Sequence, residues 1–307
     1  MGGGGGTKVP QETPHYHLFT MPFPNDSSIP EMQQIQELSK KKGASKDPFL
    51  NTTCFTSLSL LWTIALAESL VGCRVVGSAD GTHAIFSNNY MLIVFGLVCR
   101  HCRVQSGRRT YSQSLHPVGF AVGQGESEAI TLLFLAAIKH SVKLLFGFHF
   151  HIRGALSSDH SHAFANAFSV SFLATKKVQD FAHIIRKFKI CDRKGNGAYL
   201  KRYGMSRYQA SICADDVRRL HGCCSISQFW SLSALVYEAW IYIGLKELAE
   251  SFYAEYILNS DFCYWFYAAS GSLGIYCQQN SIERLNLDVK GGKNSRELFG
   301  MDSPLPK

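Results

Sequence analysis

Arg74–Ile85 reads RVVGSADGTHAI, and the reading of this stretch decides the fold. Val75 and Val76 begin a short apolar strand. It passes through Gly77, Ser78 and Ala79 and ends on Asp80, followed by Gly81 and Thr82. A carboxylate at the inner end of a buried strand is costly. Unpaired, it would shift its pKa and neutralise rather than stay charged. A bound cation, often a divalent metal, is the usual way to keep it ionised. The alternative is that Asp80-Gly81 only opens a turn, for which Asp-Gly is a common dipeptide.

Working outward, Leu58–Val71 (LSLLWTIALAESLV) predicts a buried helix leading into that strand. It falls short of the ~20 apolar residues needed to span a bilayer, and it contains Glu68. Tyr90–Val98 (YMLIVFGLV) is a continuous apolar run of strand length, as expected of a central strand. Cys99–Ser114 is basic and polar and reads as a long loop, with a third strand over His116–Gly123. A helix begins near Ser127, a plausible N-cap, with Glu128 in its first turn. Phe148–Leu156 then leads to a second acid, Asp159, where a strand gives way to a helix over His160–Phe172. A short strand over Lys177–Phe181 and a basic helix through Phe188 follow. Strands and helices in this order predict a mixed α/β layer architecture.

Residues 1–51 open with five glycines and carry several prolines and a Lys40-Lys41-Lys42 run. They read as a disordered tail, with a short helix over Glu31–Lys41 behind Pro30. Residues 52–190 form the core. Residues 191–270 change character and read as a helical insertion, with aromatic-rich helices over Phe229–Tyr242 and Leu245–Leu258. Residues 271–307 hold a last helix over Gln278–Lys290 (QQNSIERLNLDVK) and a tail.

The net charge is +8, from 31 Lys+Arg against 23 Asp+Glu. That balance suits a polyanionic partner. One basic group is Arg100, Arg103, Arg108 and Arg109; others are Lys176, Lys177, Arg186, Lys187 and Lys189, and Arg193 to Arg207. Each is equally well a solvated face. Ten irregularly spaced cysteines exclude a disulfide scaffold. Cys99 and Cys102 form one C-x-x-C without a second pair, a weak zinc signal even with His101 between them.

The order of motifs resembles the catalytic domain of Mutator-like element (MULE) transposases, from about Thr56 to Gly291. The matching pieces are ADGTH at Ala79–His83, HPVGFAVGQGESEA at His116–Ala129 and SSDHSHAFANAF at Ser157–Phe168. DFAHIIRKF at Asp180–Phe188 and QQNSIERLNLDVK at Gln278–Lys290 complete the set. The resemblance implies an RNase H-like fold, a mixed sheet flanked by helices, with an α-helical insertion before the last catalytic acid. It implies a DDE triad of Asp80, Asp159 and Glu283, the last flanked by Asn280 and Asn286. Asp180-x-x-His183 matches the family's C/D-x-x-H element. His183 either contacts the scissile phosphate or DNA, or is a satisfied buried histidine.

The implied chemistry is DNA phosphodiester cleavage and strand transfer with two Mg²⁺ or Mn²⁺ ions ~3.5–4 Å apart. Asp80 would bridge the two metals, and Asp159 and Glu283 would bind one each. Glu238, Glu247, Glu250 and Glu255 compete with Glu283 as the third acid. DNA as substrate implies a nuclear protein with no membrane partner and allows a homo-oligomer on DNA. Two features depart from the family. Gln278-Gln279-Asn280 stands where Thr-Asn-Asn is usual, and no zinc-ligand spacing is visible in the first fifty residues. They leave open an alternative from another class: a transposase-derived protein that binds DNA or a partner and does no chemistry.

Overall fold

A computed structural model describes residues 18–41, 52–69, 75–82, 90–105, 107–159, 161–173, 175–188 and 197–271. Its strands are β1 (Phe19–Thr20), β2 (Thr52–Thr56), β3 (Val76–Thr82), β4 (Tyr90–Gln105), β5 (Arg108–Gln124), β6 (Ala155–Ser158) and β7 (Lys176–Gln179). They form one mixed sheet in the order β1-β2-β5-β4-β3-β6-β7. From β1 to β3 every neighbouring pair is antiparallel; β6 joins β3, and β7 joins β6, in parallel. The helices are α1 (Pro30–Lys41), α2 (Leu58–Ser69), α3 (Glu128–Phe146), α4 (His162–Ser171), α5 (Phe181–Arg186), α6 (Ala198–Arg202), α7 (Arg207–His221), α8 (Ile226–Tyr242) and α9 (Lys246–Tyr253). A π-helical turn over Ala254–Leu258 continues α9. The fold is therefore α/β, a seven-stranded mixed sheet flanked by helices.

The pleat separates two cores, because successive side chains point to opposite faces of a strand. One face carries Ala79, Ile93, Phe95 and Leu156 against Leu133 and Ile138 of α3, Phe164 and Phe168 of α4, and Ile35 of α1. The other carries Val76, Ala155 and Val178 against Ile184, Phe188, Val217, Trp240, Phe252 and Trp265. The helices from α5 onward thus cover the second face. α3 is long and apolar enough to cross a bilayer, and most of that length is buried inside the protein. Its Ser127 cap accepts from the Ile130 N–H at 3.2 Å, as its sequence predicts, and Gly147 ends it in the left-handed conformation.

Three readings of the sequence need correction. Residues 18–41 are not a disordered tail. β1 pairs with β2, and the Met21 N–H donates to the Cys54 carbonyl at 2.8 Å. Met21 and Ile35 enter the first core, and buried Glu31 pairs with Lys139 of α3 at 2.6 Å. α1 itself, with Pro30 in its first turn, lies where the sequence puts a short helix. The second correction concerns Cys99–Ser114, which is no loop. β4 and β5 stay paired from Tyr90↔Gln124 to Gln105↔Arg108, a ribbon turned through Gly107 at φ 76°. The third is local. Asp80 does not open a turn; β3 continues past it to Thr82, with Asp80 paired to Val94.

The ribbon is irregular at one place, between Phe95 and Gly96, where Pro117 opposes Gly96. Proline has no N–H for a ladder and is tolerated at such irregularities. A side chain at Gly96 would begin 2.6 Å from the His116 carbonyl oxygen, so only glycine fits there.

Candidate active site

Register builds the site. Val76 pairs with Ala155, and Ser78 with Ser157. Two more steps along both strands set Asp80 level with Asp159, in line with Val76, Ser78, Ala155 and Ser157 on the pleat. In the next pair Ala155 faces Lys176 and Ser158 faces Gln179. One further step sets Asp159 level with Asp180, whose N–H donates to the Ser158 carbonyl at 3.1 Å. Three carboxylates from residues distant in sequence therefore stand abreast at the carboxyl ends of three adjacent parallel strands. Parallel neighbours lie about 4.8 Å apart. The carboxyl end of such strands is where ligands bind in open α/β sheets.

The turn between β5 and α3 adds a fourth acid. Ser161, the N-cap of α4, donates its hydroxyl to Glu126 Oε1 and its N–H to the Asp159 carbonyl at 2.8 Å. Glu126 thereby faces Asp159 across the site. Burial raises the Asp159 pKa from its ordinary 3.8 to about 7, and the charges of Asp80, Glu126 and Asp180 push it the same way. Asp159 Oδ1 is buried and accepts no hydrogen bond from the described residues. Asp80 Oδ1 accepts the Gly81 N–H at 2.8 Å. Asp180 is fully buried; its Oδ1 caps α5 by accepting the Ala182 N–H at 3.0 Å, and its Oδ2 lies 3.5 Å from His183 Nε2. His183 itself is about one-third exposed, at 34%, so it is not a buried core histidine.

The structure thus brings together Asp80, Asp159 and, through Asp180, His183. Glu283 lies outside the described residues, as do Asn280 and Asn286. Among its rivals, Glu255 pairs with Lys187 at 3.4 Å and Glu250 with Lys246 at 3.8 Å; neither is among the charges acting on Asp159. Among the described residues, no three His, Cys, Asp or Glu side chains stand close enough to hold a metal ion between them. That statement covers Cys99, while the side chains of His101 and Cys102 are outside it. Sequence reasoning did not place Glu126 in the site, and named Asp180 only within the Asp180-x-x-His183 element. Their signal was present in GQGES and in DFAH, but only the strand registers turn it into proximity.

The class of protein defined this far is an α/β protein with a mixed sheet and a carboxylate cluster at its parallel strand ends. A scan against protein-family models finds no match, and a search of curated proteins finds none either.

Proposed function

We propose that the chain is the catalytic domain of a MULE-like DDE transposase with an RNase H-like fold, performing metal-dependent DNA cleavage and strand transfer. The observation that carries the reading is that Asp80 and Asp159 lie on adjacent parallel strands, close enough for the Asp80 charge to push up the Asp159 pKa, two acids that the family motifs single out from positions 79 residues apart. The antiparallel strands β5-β4-β3, continued by the parallel strands β6 and β7, are compatible with an RNase H-like sheet, to which β2 and β1 add at the far edge. In this reading the helices from α6 to α9 would correspond to the family's insertion before its last acid.

The donor set fits Mg²⁺ or Mn²⁺ in kind. Both are hard cations that take oxygen ligands, and Mg²⁺ commonly keeps its waters and uses only one or two protein carboxylates beside substrate phosphates. Asp80 and Asp159 would hold it, with Glu283 as the third acid. When bound, the metal supplies an activated nucleophile and charge stabilisation of the leaving oxygen. On metal binding Asp159 would lose its proton to solvent, since a carboxylate ligand must be ionised. Asp180, tied down by the Ala182 N–H, orients His183, whose one-third-exposed ring would face a DNA phosphate. The basic surface supplies the DNA affinity, and the expected setting is nuclear, with a homo-oligomer on DNA allowed.

One observation favours the non-catalytic alternative: the described residues contain no three-ligand group. A single experiment separates the two readings. End-labelled duplex is incubated with the full chain and Mn²⁺, beside Asp80→Asn, Asp159→Asn and Glu283→Gln. Nicking or strand transfer by the wild type that all three substitutions abolish supports the proposal. Binding without any cleavage selects the transposase-derived DNA-binding protein.

A further inference from the structure

Among the described residues, nothing ties the outer half of the β4–β5 hairpin to the carboxylate site. Among the described residues, β3 pairs with β4 only as far as Val98, and β2 with β5 only over Phe120–Gly123. From Cys99↔Ser114 to Gln105↔Arg108 the two strands run on as a ribbon past the end of their pairing with β3. Seven residues at about 3.3 Å each carry it roughly 23 Å further. At its tip Val104, Gly107 and Arg108 are exposed, Val104 at 66%.

Its charge is one-sided. The ribbon carries Arg100, Arg103, Arg108 and Arg109, and no Asp or Glu occurs anywhere from Tyr90 to Gln124. In the register Arg100 lies opposite Gln113, Arg103 opposite Thr110, Val104 opposite Arg109 and Gln105 opposite Arg108. Arg218 and Arg219 of α7 are different: each has an acid three residues earlier, Arg218 on Asp215 at 2.5 Å and Arg219 on Asp216 at 3.1 Å. Basic residues on an exposed strand also discourage edge-to-edge aggregation. That role alone needs neither four arginines nor the exclusion of every acid along both strands. The paired, turn-closed backbone is the shape that a major groove admits, a two-stranded β-ribbon.

We infer that the β4–β5 ribbon is an arm that binds duplex DNA, its four arginines neutralising phosphates. The inference rests on the proposed DNA function for its choice of DNA among polyanions. It also says where on the duplex the arm sits. The site acids lie toward the other end of the same strand, since Asp80 pairs with Val94, eleven residues from Gln105. At about 3.3 Å per residue that is roughly 36 Å, close to one helical turn of B-DNA. The tip of the arm therefore holds the duplex about one turn away from the phosphate that reacts.

The test measures binding of a fluorescent 30-base-pair duplex by the full chain over a range of salt. The variants are Arg100→Gln/Arg103→Gln/Arg108→Gln/Arg109→Gln and, at the tip alone, Arg108→Gln/Arg109→Gln. Each phosphate contact contributes about 0.9 to the slope of log affinity against log salt. The fourfold variant should lower the slope by about 3 to 4 and the tip variant by about half as much, with unchanged far-ultraviolet circular dichroism. An unchanged slope in a folded fourfold variant overturns the inference. So does duplex binding that stays intact while binding to anionic vesicles is lost, which would assign the arm to a lipid surface. Asp159→Asn serves as the separate control. If the wild type does not cleave, the catalytic reading fails whatever the slope; if it cleaves and the slope does not move, only the arm is refuted.

Discussion

Replacing Asp159 by Asn should make the protein more stable above neutral pH while removing its chemistry. In the folded chain this carboxyl is held up to about 7 by burial and by Asp80, Glu126 and Asp180, against an ordinary 3.8. One pH unit corresponds to about 1.4 kcal/mol, so the full interval is worth about 4 kcal/mol. The sign follows from proton counting. Below pH 4 both folded and unfolded chains keep the proton, and the acid costs nothing. Between about 4 and 7 only the unfolded chain releases it, so stability falls as pH rises, and above 7 the loss is complete. Asn keeps the shape of the protonated acid and does not titrate. Because relaxation around the charge reduces the full interval, the expected gap is about 2–4 kcal/mol in favour of Asn at pH 8, shrinking to near zero at pH 4. Urea denaturation of both proteins at half-unit steps of pH reads this directly. Saturating Mg²⁺ at pH 8 should narrow the gap by stabilising only the wild type. A gap independent of pH, or a wild type more stable than Asp159→Asn at pH 8, would refute the reasoning.

Other predictions test the scaffold. Glu31→Ala removes the buried partner of Lys139 and should cost about 1–3 kcal/mol, measured by thermal melting; a neutral result would mean that α1 is not part of the folded unit. Trp240 donates its indole N–H to Asp216 at 3.1 Å inside the second core. Trp240→Phe, which keeps the ring but leaves that oxygen unmet, should cost about 1–3 kcal/mol, read from the urea midpoint. Gly96→Ala would set a methyl against the His116 carbonyl and should cost at least 1–3 kcal/mol, whereas an unchanged melting temperature would show that the ribbon's irregularity is soft.

The parts of the fold that were legible in the sequence are those fixed by local chemistry. Ser127 announces α3 because an N-cap acts within one turn, and Tyr90–Val98 announces β4 because a strand buried on both faces is apolar throughout. The outer ribbon was not legible for the complementary reason. Among the described residues, Cys99–Ser114 pairs with no further sheet neighbour that would impose alternation, so it reads as polar loop although each strand is held by the other. The N-terminal stretch misled through its prolines. Met21, Phe23 and Ile29 pack against the first core, but their spacing follows neither a helix nor a strand. In the site, Asp80 and Asp159 were visible because each follows a short apolar strand segment in the sequence, although β3 runs on past Asp80 to Thr82. Asp180 and Glu126 were hidden because their nearness comes from parallel registers and a turn, which spacing along the chain does not encode.

The central claim is that Asp80 and Asp159 act together as a divalent-metal site. Calorimetric titration of Mn²⁺, with a short duplex present, tests it most directly when run at pH 7 in buffers of different ionisation enthalpy. With Asp159 near half-protonated at pH 7, binding should release about half a proton per site, and almost none at pH 9. Asp80→Asn and Asp159→Asn should each abolish the binding. Saturable Mn²⁺ binding that survives both substitutions, or no binding to a folded wild-type chain, would contradict the account.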